Sequence, residues 1–154
     1  MTSVDFHFNT PDRLTHACRL VRKALRAKAA SEEKPLVVFC RDAERLSAFD
    51  DLLYSFSDED FLPHVTADHP LADESPVILC DFQWMPDAPR TPNLLVNLDD
   101  EVPEFFSSFD RVFEIVGPDD LDKQRARLRF AFYRDRGYPL TRHDLQQADA
   151  RDAR

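Results

Sequence analysis

The residues best placed to do chemistry lie in one stretch, Leu121 to Arg136, LDKQRARLRFAFYRDR. Residues 122–136 hold six Lys/Arg and two Asp, a local charge of +4 in a chain of net charge −9, which leaves −13 for the rest. Drawn on a helix, Lys123, Arg127, Phe130 and Arg134 gather on one side within roughly 60°. That side is a cationic face with a large aromatic in its middle. Lys123 and Arg127 are four apart and Phe130 is three beyond, so they are neighbours on the helix surface. This set suits an acidic peptide whose carboxylates meet Lys and Arg while its own aromatic packs on Phe130. If the peptide ends in a free carboxylate, Arg127 is its natural bidentate partner. Affinity should then fall with salt. Leu121, Leu128 and Phe132 fall together within roughly 40° on another side, a stripe expected to face the core. Arg125 and Arg129 point elsewhere and are expected to be solvated, with Arg134 as a flank of the cationic face.

Other candidates for chemistry are thinner. Cys40-Arg41-Asp42-Ala43-Glu44-Arg45 follows an apolar run, and ligand sites of open α/β sheets gather at that strand edge. A phosphatase loop, however, needs Cys and Arg six positions apart; here Leu46 stands at that position and Arg45 comes one early. His64, Asp68 and His69 invite a metal reading but lack a fourth ligand. Asp81, Asp99, Asp100 and Glu101 could hold Mg²⁺ with a phosphate substrate, yet no phosphate cradle accompanies them. The chain has two glycines, Gly117 and Gly137, which excludes Gly-rich phosphate loops of the Walker and dinucleotide-binding kinds. No metal and no cofactor is expected. A second surface suited to proteins is the Phe61-Leu62-Pro63-His64 loop, with Tyr54 and Phe56 upstream.

Composition bounds the rest. A chain of 154 residues with 43% hydrophobic and 32% charged residues is one globular domain by these measures. Its acidity argues against a broad nucleic-acid binder and against an anionic membrane surface. No apolar run approaches the length of a membrane span, and no signal peptide follows the start Met. Cys18, Cys40 and Cys80 are odd in number and form no CxxC, so they read as free thiols of a reducing cytosol.

The elements that must position these residues alternate. Val4 to Phe8 alternates apolar and polar as a strand. Thr10-Pro11 is expected to cap a helix carrying Leu14, Cys18, Val21 and Leu25, with Arg13 and other basic residues outside or at the edges of that face. Leu36–Cys40 is a buried strand, and Asp42 caps a helix with Leu46, Phe49, Leu52 and Leu53 inward. Residues 55–75 read as a long surface loop exposing Phe56, Phe61 and Leu62. Strands follow at Pro76–Cys80, Leu94–Leu98 and Arg111–Val116. Phe82–Pro86 leads into a Pro-rich turn, and Pro103–Phe109 reads as a short helix. The last helix ends at Gly137-Tyr138-Pro139. From Arg142 the chain is polar and expected to fray. The pattern predicts a single three-layer α/β domain over 1–140, with a mostly parallel sheet flanked by helices, and a polar tail over 141–154.

At these same residues the chain resembles a known family, the chi subunit of bacterial DNA polymerase III. The resemblance runs through VDFHF, LVVFC with its D-A-x-x-L helix, F-L-P-H at Phe61–His64, and Pro92 to Leu98. It continues in F-x-R-V-F-E-I-V from Phe109 and A-R-x-R-x-x-x-Y-R-x-x-G-Y from Ala126. It implies a Rossmann-like, mononucleotide-binding-like fold without a nucleotide site and a subunit with no catalytic activity of its own. It implies a cytoplasmic accessory protein of the clamp-loader complex that pairs with the psi subunit. On another surface such a protein holds the acidic, Phe-ending C-terminal tail of single-stranded DNA-binding protein, so that contact with DNA is mainly indirect. Carried over by position, the tail site would comprise Lys123, Arg127, Phe130 and Val116, with Arg134 beside them. The psi interface would comprise Tyr54, Phe61, Pro63 and His64. Relatives carry Tyr at the Phe130 position and Trp at the Tyr54 position.

Two other readings start from the same residues. One is a degenerate α/β enzyme or phosphate binder using the Cys40–Arg45 edge. The other is direct single-stranded DNA binding by the basic helix, against which the surrounding negative charge works.

Overall fold

The computed structural model describes residues 2–56, 61–81 and 93–146. Seven strands form one sheet: β1 (Ser3–Phe8), β2 (Leu36–Phe39), β3 (Val65–Thr66), β4 (Val77–Cys80), β5 (Leu94–Asn97), β6 (Arg111–Ile115) and β7 (Leu140–Asp144). Three α-helices accompany them: α1 (Arg13–Arg26), α2 (Ala43–Ser55) and α3 (Asp120–Asp135). The strand order is β3-β4-β2-β5-β6-β1-β7. Every pairing is parallel.

The central strands are short apolar runs buried at every position, as a parallel sheet covered on both faces requires. Alternate residues feed different layers. Leu36 and Val38 join Ala17, Cys18 and Val21 of α1 and Leu46, Phe49 and Leu53 of α2. Val37 and Phe39 join Phe105, Phe106 and Phe109, and Ala126 and Tyr133 of α3. The result is the three-layer α/β architecture expected from the pattern.

Several local expectations change. The cap of α1 is Asp12, whose carboxylate accepts from Thr15 N at 2.9 Å. Thr10 instead donates its hydroxyl to Val116 O at 2.6 Å, tying the start of α1 to the end of β6. Arg13 is buried rather than outside; it reaches Asp122 at 3.4 Å and the Asp99 carbonyl at 2.9 Å. The 55–75 loop contains β3 and a 3-10 turn at Ala72–Glu74, and its Leu62 is buried. Phe106–Ser108 is a single 3-10 turn. Leu140–Asp144 pairs with β1, so the sheet continues past Arg142, where fraying was expected. Phe82–Pro86, its Pro-rich turn and the tail from Gln147 lie outside the described residues.

The largest correction concerns α3. Its inner face is Asp122, Ala126, Arg129 and Tyr133, while Leu121 and Leu128 are exposed, Leu128 to 74%. The reason lies in β6. Glu114 is fully buried at the centre of the sheet. It accepts from Arg129 Nε at 2.9 Å, Tyr133 Oη at 2.8 Å and Asn97 Nδ2 at 2.9 Å. A buried carboxylate left unpaired costs more than two exposed leucines, so the helix turns its Arg and Tyr inward. Arg129 is therefore 2% exposed and not solvated.

Candidate functional site

α3 is placed by strong local signals. Asp119 caps it, accepting from Asp122 N at 2.8 Å, and Asp120 and Asp122 suit its N-terminal dipole. Gly137, at φ +78°, ends it in the left-handed conformation. With the Glu114 network fixing its rotation, Lys123, Arg127 and Phe130 lie along the side of α3 that overhangs β1 and β7.

There they bound an open groove of about 570 Å³. Lys123, Arg127, Phe130 and Arg134 form one wall with Ala126, and Val116 closes the end beyond β6. All five residues named from the sequence for a peptide site thus line one groove. Phe6 and Phe8 of β1 supply apolar surface, and Phe130 stands edge-on to Phe6 with ring centroids 5.2 Å apart. Sequence reasoning missed the other five lining residues: Phe6, Phe8, Asn9, Ala126 and Arg142 of β7. Phe6 and Phe8 were legible as one face of the alternating VDFHF strand. Arg142 carried no local signal, because β7 is defined by pairing with β1.

Charge separates the cations of α3 into two sets. Arg125 bonds Asp100 at 2.9 Å and Arg129 bonds Glu114. Arg134 meets Asp135 at 3.2 Å, and Arg136 stacks over Phe132 at 3.6 Å. Among the described residues, Lys123 and Arg127 make no ion pair. Arg136 too lacks an ion pair but stacks on a ring, so among the described residues the α3 cations with neither an acid nor a ring partner are those at i and i+4 beside Phe130.

The residues expected at a second interface lie at the far edge of the sheet. Phe61 is 77% exposed, the most exposed large hydrophobic among the described residues, and Tyr54 is also exposed. Tyr54 packs edge-on against His64 at 4.6 Å between ring centroids. His64 itself is buried: its Nε2 meets Asp50 at 2.7 Å and its Nδ1 the Leu62 carbonyl at 2.6 Å. Pro63 is half-buried between them in sequence. His64 is therefore a strut that holds Tyr54 and the loop, and Tyr54 and Phe61 are the surface.

The Cys40–Arg45 edge offers little chemistry. The Cys40 thiol is buried, and burial pushes its pKa up, away from a nucleophilic thiolate. Arg45 is spent on the Leu98 carbonyl at 2.7 Å and on Asp100 at 3.2 Å. Arg41 pairs with Asp99 at 2.9 Å and Glu101 at 3.0 Å. The 920 Å³ depression here is thus rimmed by arginines and acids that answer each other. Burial works to raise the Asp100 carboxyl pKa, but Arg45, Arg125 and Arg13 outweigh it and hold it low. Among the described residues no group of three or more His, Cys, Asp or Glu is arranged to hold a metal. No helix there is long and apolar enough to cross a membrane.

The fold and this groove together define an α/β domain whose open chemistry is a cationic, aromatic-lined surface rather than a crevice at the strand ends. Comparison with known proteins gives the family. Residues 1–141 match the family described as DNA polymerase III chi subunit, HolC. The DNA polymerase III subunit chi of Pseudomonas aeruginosa is 38% identical over 149 residues, covering 94% of this chain and 98% of its own. That of Haemophilus influenzae is 24% identical over 137 residues, covering 86% and 93%. The chain belongs to the DNA polymerase III chi subunit family, and its role is that of an accessory subunit of a replicative polymerase assembly.

Proposed function

We propose that the chain is a non-catalytic adaptor of the bacterial DNA polymerase III holoenzyme, working through two surfaces. The groove between α3, β1 and β7 takes the acidic, Phe-ending C-terminal tail of single-stranded DNA-binding protein. The Tyr54 and Phe61 surface, propped by His64 and Pro63, takes the psi subunit and through it the clamp-loader complex. DNA is then reached mainly through the coat protein, in the cytoplasm.

One observation supports the tail site above the others: Lys123 and Arg127 have no ion pair among the described residues, whereas their helix neighbours Arg125 and Arg129 are answered by Asp100 and Glu114. A cation kept free beside an aromatic-lined groove favours an anionic ligand with an apolar end. The same partition weakens direct DNA binding, since Arg125, Arg129 and Arg134, half of the helix's cations, are already paired with acids.

The test is fluorescence anisotropy with a labelled acidic peptide ending in Phe. Binding at micromolar strength that weakens with salt, and is lost in Arg127→Ala with an unchanged melting temperature, is the expected result. Undiminished binding in that variant sinks the site. For the second surface, Phe61→Ala should abolish co-purification with psi and leave peptide binding intact.

A further inference from the structure

The groove has a wall that the helix does not supply. Arg142 lies on β7, in register with Phe6 of β1. Residues side by side in a parallel sheet point to the same face, and Phe6 faces α3. Leu140, two residues earlier, packs into that same layer. Arg142 therefore rises towards the helix, and its guanidinium carbon lies 4.8 Å from the centroid of the Phe130 ring. Among the described residues it makes no ion pair, and it is exposed.

A guanidinium held over a ring is in a defined place. Its plane is weakly hydrated and stacks well, and its N–H edge stays free to donate. Phe130 thus has two neighbours, the Phe6 ring edge-on and the Arg142 guanidinium over its face. Phe8, Val116 and Ala126 add apolar lining to the same groove. Arg127 and Lys123 stand on one wall and Arg142 on the other. A peptide lying along the groove has cations on both sides.

We propose that Arg142 is a further ligand-binding residue of this groove, held ready by Phe130, and that it makes the site selective for a peptide bearing a second acidic group besides the one received by Arg127. The inference rests on the tail-binding reading above. It changes the part played by Phe130, which becomes a support for a cation as well as a packing surface.

The test uses the full chain and a labelled eight-residue peptide with three Asp ahead of a C-terminal Phe, together with its single Asp→Asn variants. Arg142→Ala should weaken the parent peptide about fivefold, the scale of one exposed ion pair. It should flatten the salt dependence and leave the melting temperature unchanged. One of the three Asp→Asn substitutions should cost the wild type affinity and cost Arg142→Ala nothing. Arg142→Lys should keep part of the affinity, and Arg142→Ala should add little on top of Phe130→Ala. An Arg142→Ala variant with wild-type affinity, salt slope and Asp→Asn profile overturns the inference. If Arg127→Ala abolishes binding in that same series, the groove stands and only Arg142 falls. No binding of the parent peptide to the wild type, or binding of bare oligo-dT in its place at physiological salt, overturns both.

Discussion

Two arginine-rich regions of this molecule differ in whether their charges are answered from within. At the carboxyl edge of the sheet, Asp100 alone receives Arg45 at 3.2 Å, Arg125 at 2.9 Å and Arg13 at 3.8 Å. Arg41 is closed by Asp99 and Glu101, and Arg129 by Glu114. Across α3, Lys123, Arg127 and Arg142 face a groove with no ion pair among the described residues. The same side-chain chemistry builds a scaffold in one place and leaves a docking surface in the other. Net charge could not tell them apart, since α3 supplies cations to both, Arg125 and Arg129 to the first and Lys123 and Arg127 to the second. In an open α/β sheet the carboxyl edge is the usual ligand crevice; here arginine–carboxylate pairs rim it.

That contrast is broken most severely by removing a scaffold cation. Arg129→Met leaves the fully buried Glu114 side chain without its charged partner. Breaking a buried pair from one side costs about 3–5 kcal/mol. At about 2–4 °C per kcal/mol for a domain of this size, the melting temperature should fall by roughly 10 °C. Calorimetry on the variant checks it. A fall of under a degree would mean that the pair does not set the rotation of α3.

The docking cation predicts the reverse. Arg127→Ala removes no internal partner, so its stability should change by less than about 0.5 kcal/mol. Its peptide affinity should fall at least about tenfold, as for a lost charge-assisted pair. Measured together, the two variants form a crossed pair: one loses stability, the other loses the ligand. Loss of both properties in Arg127→Ala would erase the distinction between the regions.

Acid should act on the face of β1 and β7 opposite the groove, towards α1. Burial and the nearby His16 and His143 push the His7 pKa from 6.5 to about 3. Beneath β7, His7 stacks on His143 with centroids 4.5 Å apart and meets His16 at 2.9 Å, with Phe113 against its ring. His143 in turn bonds Asp5, which Arg111 also holds. Burial works against the Asp5 carboxylate, but Arg111 and His143 outweigh it and lower its pKa. Between pH 6.5 and about 3 the unfolded chain binds a proton that folded His7 refuses. The stability present above pH 6.5 is therefore lost as pH falls through that window. Asp5 adds loss in the same direction at the acid end. Thermal melts from pH 7.5 to 5 should show the decline, and His7→Phe should flatten it. An equal decline in that variant places the acid sensitivity elsewhere.

What the sequence made legible follows the range of the interactions. Short apolar strands alternating with capped helices carry a local signal, so the parallel three-layer fold could be read from spacing. Lys123, Arg127 and Phe130 could be read too, because i, i+4 and i+7 are neighbours on any helix. Arg142 could not, since its place depends on β7 lying beside β1, more than a hundred residues away in sequence. The rotation of α3 was misread for a different reason. Periodicity counts Asp122 and Arg129 as solvent-facing; the buried Glu114 of β6 draws Arg129 inward, and Arg13 with the Gly117 N–H draws Asp122. The His64 strut was hidden likewise, because its partner Asp50 belongs to another element.

The smallest effect tests that misreading directly. Leu121, Leu128 and Phe132 form the stripe that hydrophobic periodicity turns toward the core. Leu128 is 74% exposed, and only Phe132 of the three is partly buried against the aromatic layer of Phe106 and Tyr133. If Leu128 were a core residue, replacing it with Lys would create a buried unpaired charge and unfold the domain. Exposed as it is, Leu128→Lys should change stability by less than about 0.5 kcal/mol. A surface lysine at that site also leaves the groove on the other side of α3 untouched, so peptide affinity should hold within twofold. Urea denaturation with the same slope and midpoint as the wild type is the expected outcome. A lowered midpoint would mean that α3 sits in solution with its leucines inward, and then Glu114 would have lost the partners that fix the helix.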